Sequence, residues 1–238
     1  MEKIFEAKGI VKNFGALTAV SNVDISLSRG EIIGLIGPNG AGKSTFLNII
    51  AGILQPTEGK IFFKGNDITF VKADKICKLG IVKTAQIVQP FTKLSLFQNV
   101  YLAAVYGGGL SKREAIDKTE ELLEFTKLFS LQNKLANELS VPQRRRLEFA
   151  RALATLPEIL LLDENMAGLT PREIDDSLEL IREINAKNVS IIIVEHIMRA
   201  VVGVAKRIVV LNYGEKIADG ETDRVLNDKK VLEAYFGE

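Results

Sequence analysis

A chain of 238 residues, 47% hydrophobic and 26% charged, is long enough for one α/β domain with a substantial core. Lys and Arg number 31 against 30 for Asp and Glu, so no overall field draws the chain to nucleic acid or acidic lipid. The single cysteine, Cys77, excludes an internal disulfide framework and reads as a small apolar core residue in a reducing compartment. The N-terminus, MEKIFEAKGIVKNFG, has no apolar signal-peptide stretch, and no run of about 18 apolar residues offers a bilayer span. A membrane role would therefore be served through another chain.

In chain order, Val23, Ile25 and Leu27 alternate with polar residues, as in a half-buried strand. An apolar run over 32–36 predicts a second strand, and GKIFFKGND (59–67) a third that ends in a turn. The first and third suggest an antiparallel layer. Residues 80–85 predict another strand. From 91 to 154 the composition turns helical and charged, with no evident buried strand. Short apolar runs at 159–162 and 191–194 suit strands covered on both faces in a parallel sheet. Between them Ile174, Leu178, Ile181 and Ile184 recur at helical spacing, with Thr170 as N-cap, Pro171 at the first position and Glu173 closing a capping box. Strand, helix, strand is a βαβ unit.

GPNGAGKS (37–44) matches G-x-x-x-x-G-K-S/T between a predicted strand and a helix. Gly37, Pro38, Asn39, Gly40, Ala41, Gly42, Lys43, Ser44 and Thr45 are the expected nucleotide-binding residues. Gly40 and Gly42 let backbone N–H groups turn towards phosphate, and the following helix adds the positive end of its dipole. Lys43 would reach the β- and γ-phosphates and the Ser44 hydroxyl would hold Mg²⁺, so ATP and Mg²⁺ are the expected cofactors. ILLLDEN (159–165) ends in two carboxylates: Asp163 is placed for the metal, and Glu164, pointing the other way, for general-base attack by water. A kinase needs no hydrolytic base, so Glu164 favours an ATPase. His196, the only histidine, follows a core strand on the side where such sheets bind ligands, and can donate to the γ-phosphate or to the water. Gln86, after the strand at 80–85, can complete the metal shell or contact the water.

The order of phosphate loop, Gln86, LSVPQ (139–143), ILLLDE and His196 resembles the ATP-binding subunit of ABC transporters over essentially the whole chain. The resemblance implies an α/β fold: a P-loop NTPase (RecA-like) core with a parallel sheet, an N-terminal antiparallel β layer and an inserted helical subdomain. The expected arrangement is one domain, 1–238, with 1–86 and 155–238 as the core and 87–154 as the helical subdomain. It further implies that Phe14, otherwise a core aromatic, stacks on adenine, that Gln86 links core to helical subdomain, and that His196 is the switch histidine. Leu139, Ser140 and Gln143 fall in the signature motif, which acts on the nucleotide of a second ATPase subunit, and 167–170 in the dimer-contact loop. The expected partners are that second subunit, identical or related, and transmembrane permease subunits. Nucleic acid and direct membrane insertion are not expected, and the location implied is cytoplasmic, peripheral to the membrane through the permease. AGLTPRE, VEHIMRAVVGVAKRIVVLNYGEKIADG and LEAYFGE look like the ATPase subunits of branched-chain amino-acid importers; urea and aromatic-acid systems have similar ones. After the DRVL helix no added regulatory domain is expected.

Departures from the family pattern are informative. The signature usually reads L-S-G-G-Q, and here Val141 and Pro142 replace both glycines. Pro142 has no N–H for a γ-phosphate across the dimer, a loss on the order of 1.5–3 kcal/mol if not replaced. Asn165, where the family most often has Pro, and Ala85, where relatives often have Phe, carry no mechanism legible in sequence. Arg144, Arg145 and Arg146 read as a solvated helix face rather than a nucleic-acid site. The stretch 87–100, with Phe91, Leu94, Leu96 and Phe97, is either subdomain core or a groove for a permease helix. Two rivals are a soluble ABC-type ATPase not tied to transport and a slow, regulatory subunit with a degenerate signature. A GTPase is disfavoured, because NKLA (133–136) lacks the Asp of N-K-x-D.

Overall fold

The computed structural model describes residues 2–84, 89–166 and 168–236. The chain opens on a long antiparallel hairpin, β1 (Lys3–Phe14) and β2 (Leu17–Ser28). Val23, Ile25 and Leu27 are buried from β2, as their alternation predicts. The central strand β3 (Ile32–Ile36) feeds directly into the phosphate loop and α1 (Lys43–Ile50). Next come β4 (Glu58–Phe63) and β5 (Asn66–Asp67), joined by a tight turn at Lys64 and Gly65, both with positive φ. These four outer strands form an antiparallel sheet in the order β2-β1-β4-β5, the expected layer.

After α2 (Ala73–Leu79) comes β6 (Ile81–Lys83), shorter than the predicted 80–85. Among the described residues three α-helices follow: α3 (Leu96–Leu102), α4 (Lys112–Phe125) and α5 (Val141–Ala154). Then come β7 (Ile159–Asp163), α6 (Pro171–Ala186) and β8 (Ser190–Val194), the expected βαβ unit. The capping box predicted for α6 forms, with the Thr170 N–H donating to Glu173 Oε2 at 2.8 Å. A short α7 (Met198–Val204), the pair β9 (Arg207–Asn212) and β10 (Glu215–Glu221), and α8 (Thr222–Leu226) and α9 (Lys229–Phe236) follow. The second sheet runs β10-β9-β3-β8-β7-β6, parallel except for β10 at its edge.

Alternation along the parallel strands sorts their side chains between two apolar clusters. Leu160 and Leu162 of β7, with Ile191 and Ile193 of β8, face the cluster that contains Leu147 and Phe149 of α5. Leu161, Ile192 and Val194 face the other, with Phe46 and Leu47 of α1 and the antiparallel layer. Asp163 continues the phase of Ile159 and Leu161, so β7 delivers its carboxylate to the α1 side, where the phosphate loop ends. Truncating any of these core side chains to Ala costs about 2–5 kcal/mol, which makes the strand ends a firm mount for a site.

Candidate active site

The phosphate loop wraps the N-terminus of α1. Gly40 and Gly42 adopt φ of 80° and 96°, in the left-handed region open to glycine. At Gly42 a side chain is barred twice, since a Cβ would come within 2.3 Å of the Ala19 carbonyl. At Gly40 nothing lies within 4 Å of that position, so the loop is open there for a phosphate. Lys43 is buried, its ammonium donating to the carbonyls of Gly37 at 2.7 Å and Pro38 at 2.8 Å. Burial pulls its pKa below the ordinary lysine value, opposed by the Glu164 and Asp163 carboxylates. The cation is thus folded back along the loop onto two of its carbonyls.

Asp163 is 1% exposed and its two oxygens have different partners. Oδ1 accepts from Ser44 Oγ at 3.1 Å, and Oδ2 is 2.9 Å from the Lys83 ammonium. No group of three or more His, Cys, Asp or Glu able to hold a metal ion occurs among the described residues. Two hard oxygens beside a phosphate loop nevertheless fit Mg²⁺, which takes few protein ligands and fills its shell with phosphate and water.

Glu164 does not reach the site by strand alternation. Its φ is 51°, so the chain leaves β7 there, while its N–H still donates to the Val194 carbonyl at 2.9 Å. The side chain turns towards β8, where Glu164 Oε1 lies 2.5 Å from His196 Nε2. A neutral imidazole with its proton on Nε2 donates in this contact and leaves Glu164 an acceptor. Phosphate loop, Glu164, His196 and Phe14 line one cleft of about 330 Å³. Phe14 is 47% exposed at the tip of the β1–β2 hairpin rather than in the core, with the Lys12 ammonium 5.1 Å from its ring centre. Leu17, not singled out from sequence, lines the cleft beside it.

Leu139, Ser140 and Gln143 do not line this cleft. They sit at the start of α5, where the Ser140 N–H donates to Gln143 Oε1 at 3.0 Å and Pro142 is tolerated in the first turn. Gln86 and Ala85 lie outside the described residues, as do Ile87, Val88 and Ala167 of the segments 87–100 and 167–170.

The arginine run is not the solvated face its sequence suggests. Arg144 donates to the carbonyls of Leu139 and Asn137 at 3.0 and 3.2 Å, Arg146 donates to the Thr126 carbonyl at 3.2 Å, and Arg145 is buried against Glu148. Arg144 fastens the segment before α5 to its helix and Arg146 ties α5 to the end of α4, because helix ends and loops leave carbonyls that need donors. Asn165 also acquires a role. Buried, it accepts from Thr84 Oγ1 at 2.9 Å and donates to Glu148 Oε2 at 3.3 Å, tying the end of β6 to α5 as a proline could not. The 87–100 stretch divides: Leu96 and Val100 are core, whereas Phe91 is 53% exposed under Arg151. Cys77 is half-buried, with burial pushing its thiol up and keeping it protonated.

Glu195 was not legible as a site residue. Buried directly before His196, it accepts from the Met166 N–H at 2.8 Å and so holds the loop after Glu164. Burial pushes its pKa from 4.5 to about 7; the Met166 N–H opposes, the Glu164 charge adds, and His196 opposes. Between those values the folded protein keeps a proton that the unfolded chain has released. Glu195's contribution to stability therefore falls as pH rises from 4.5 to about 7 and is level above, a change of about 3 kcal/mol. Glu195→Gln should flatten that part of the slope while still accepting from Met166. Urea midpoints of parent and variant at pH 5 and pH 8 check this; parallel slopes would refute it.

A glycine loop around a helix N-terminus, with carboxylates gathered at the carboxyl ends of parallel strands, defines a P-loop nucleotide-binding protein. More particularly, the chain belongs to the ABC transporter family, whose sequence model, described as "ABC transporter", matches residues 20–167. It is similar to the high-affinity branched-chain amino acid transport ATP-binding protein LivG of Escherichia coli (strain K12), at 36% identity over 252 residues, covering 100% of this chain and 99% of that protein. Among solved structures it is similar to the ADP conformation of an ATP-binding cassette of an ABC transporter, with TM-score 0.89, 33% identity and full coverage, 100%, of both chains. It is also similar to a cassette in a dimeric post-hydrolysis state bound to ADP and Pi, with TM-score 0.81 and 28% identity, covering 92% of this chain and 98% of that one.

Proposed function

We propose that this chain is the Mg²⁺-dependent ATP-hydrolysing subunit of a membrane importer, with branched-chain or related amino acids as cargo. The observation that carries the hydrolytic part is the cleft in which the phosphate loop faces Glu164, itself 2.5 Å from His196. Lys43 and the loop N–H groups bind the triphosphate, and Phe14 stacks on the base. Ser44 and Asp163 hold Mg²⁺, which supplies charge neutralisation on the phosphates. Glu164 takes the proton of the attacking water, and His196 keeps it oriented as an acceptor. Full-length similarity to a branched-chain amino acid transport ATP-binding protein supports the transport role and the cargo class. No helix among the described residues is long and apolar enough to cross a membrane; in this reading a permease partner holds the chain at the membrane's inner face.

Ser140 sits at the head of α5, away from its own chain's cleft, and we assign it, with Leu139 and Gln143, to the nucleotide of a second cassette. The dimeric cassette to which the chain is similar supports this. The chain acts as one unit, 1–238, and its helical subdomain, 87–154, shares an apolar cluster with one face of the parallel sheet.

Co-purification from the native membrane tests the proposal. The expected result is a bound permease and Mg²⁺-dependent ATP turnover; a chain that hydrolyses ATP but captures RNA or DNA on a filter and no permease would favour the soluble rival. Val141→Gly/Pro142→Gly restores one N–H at Pro142's position and should raise turnover of the complex by about tenfold or more. No gain in steady-state ATPase would show that the altered signature is not what limits the rate.

A further inference from the structure

Lys83 is the one charged residue of β6, an otherwise apolar strand. It pairs in register with Leu161 of β7, so it shares a face with Asp163 two residues on, and its side chain is 12% exposed. Its ammonium lies 2.9 Å from Asp163 Oδ2. The other nearby ammonium, Lys43, is committed to the carbonyls of Gly37 and Pro38. Just past the ends of these two strands Thr84 donates to Asn165, so the segment after Lys83 is fastened to the segment after Asp163.

We propose that Lys83 is the resident counter-cation of Asp163, keeping that carboxylate from capturing a divalent cation until one arrives with nucleotide phosphate. A buried carboxylate that stays ionised needs a nearby positive charge, and without Lys83 it would draw one from solution. With Lys83 in place the pair is neutral, and a free dication meets an ammonium a few ångströms from its seat. A triphosphate reverses the balance: its negative charge offsets the ammonium and supplies the metal with oxygens that Ser44 and Asp163 alone cannot. Asp163 Oδ2 stays on Lys83 while Oδ1, on the Ser44 side, remains the oxygen presented to the cation. The inference rests on the reading of Asp163 as the metal-side carboxylate.

The test is Mn²⁺ binding to the nucleotide-free full chain, followed by the paramagnetic signal of the free ion. The parent and Lys83→Arg should bind Mn²⁺ only weakly, while Lys83→Gln, which keeps a donor and loses the charge, should bind at least about tenfold more tightly. The Mg²⁺ concentration for half-maximal ATP turnover should fall in Lys83→Gln and not in Lys83→Arg. Equal Mn²⁺ affinity in parent and Lys83→Gln, or the same gain in Lys83→Arg, overturns the inference. So does micromolar Mn²⁺ binding by the nucleotide-free parent, a measurement that needs no variant to fold. Asp163→Asn separates the two levels. If it leaves the metal dependence of turnover unchanged, the reading of Asp163 fails; if it alters that dependence while Lys83→Gln does nothing, only the counter-cation fails.

Discussion

Glu164→Gln is expected to lower ATP turnover by about 10²–10⁴-fold, the range that a positioned general base contributes. The amide has the shape of the carboxylate and can still meet His196, now 2.5 Å from Glu164 Oε1, so the cleft should keep its form. It cannot take a proton from water. ATP should therefore bind with little change in affinity and remain unhydrolysed, and the proposed pairing with a second cassette should persist while ATP is bound. Single-turnover kinetics and size-exclusion chromatography with ATP check the two halves. Turnover within about threefold of the parent would remove Glu164 from the role of base, whatever the dimer does.

Lys43→Met is expected to weaken nucleotide binding by about 10–100-fold, the loss of charge-assisted hydrogen bonds worth about 1.5–3 kcal/mol. Met keeps the apolar stem that packs at the base of the loop, so the loss falls on the phosphates. The nucleotide-free fold loses the ammonium's hydrogen bonds to the Gly37 and Pro38 carbonyls but sheds a disfavoured charge, so its thermal midpoint should move by only a few degrees. Burial already disfavours the Lys43 charge, and the substitution removes it. Calorimetric titration with ATP and a thermal midpoint without it distinguish this from a folding defect. A midpoint many degrees lower, with normal affinity in the folded fraction, would show that Lys43 braces the loop rather than binding phosphate.

The parts of the site that are local in the chain were legible. GPNGAGKS carries its own conformation, because only glycine accepts the φ values of 80° and 96° found at Gly40 and Gly42. Thr170, Pro171 and Glu173 announced α6, because a capping box is a contact between residues three apart. β9 was not legible: from Ala200 to Leu211 the chain is almost continuously apolar, and periodicity cannot divide such a run into α7 and β9. Pairing with β3 makes that division. β10, with the polar sequence EKIADGE, is an edge strand with little to bury, and it exists because β9 offers it a ladder.

By itself the sequence determined that a phosphate loop leads into α1, that a buried strand ends at Asp163 with Glu164 next in the chain, and that one histidine follows another such strand. Those are consequences of backbone sterics and apolar patterning over a few residues. Only the tertiary structure decided which charges meet. Lys83 reaches Asp163, Glu164 turns out of its strand to His196, and Arg144 of α5 folds back on Leu139. Strand order sets those meetings, since β8 lies between β3 and β7 and brings segments far apart in the chain to adjoining strand ends. An ion pair across that distance leaves no periodic trace, because its geometry is fixed by the packing of the sheet and not by either residue's neighbours.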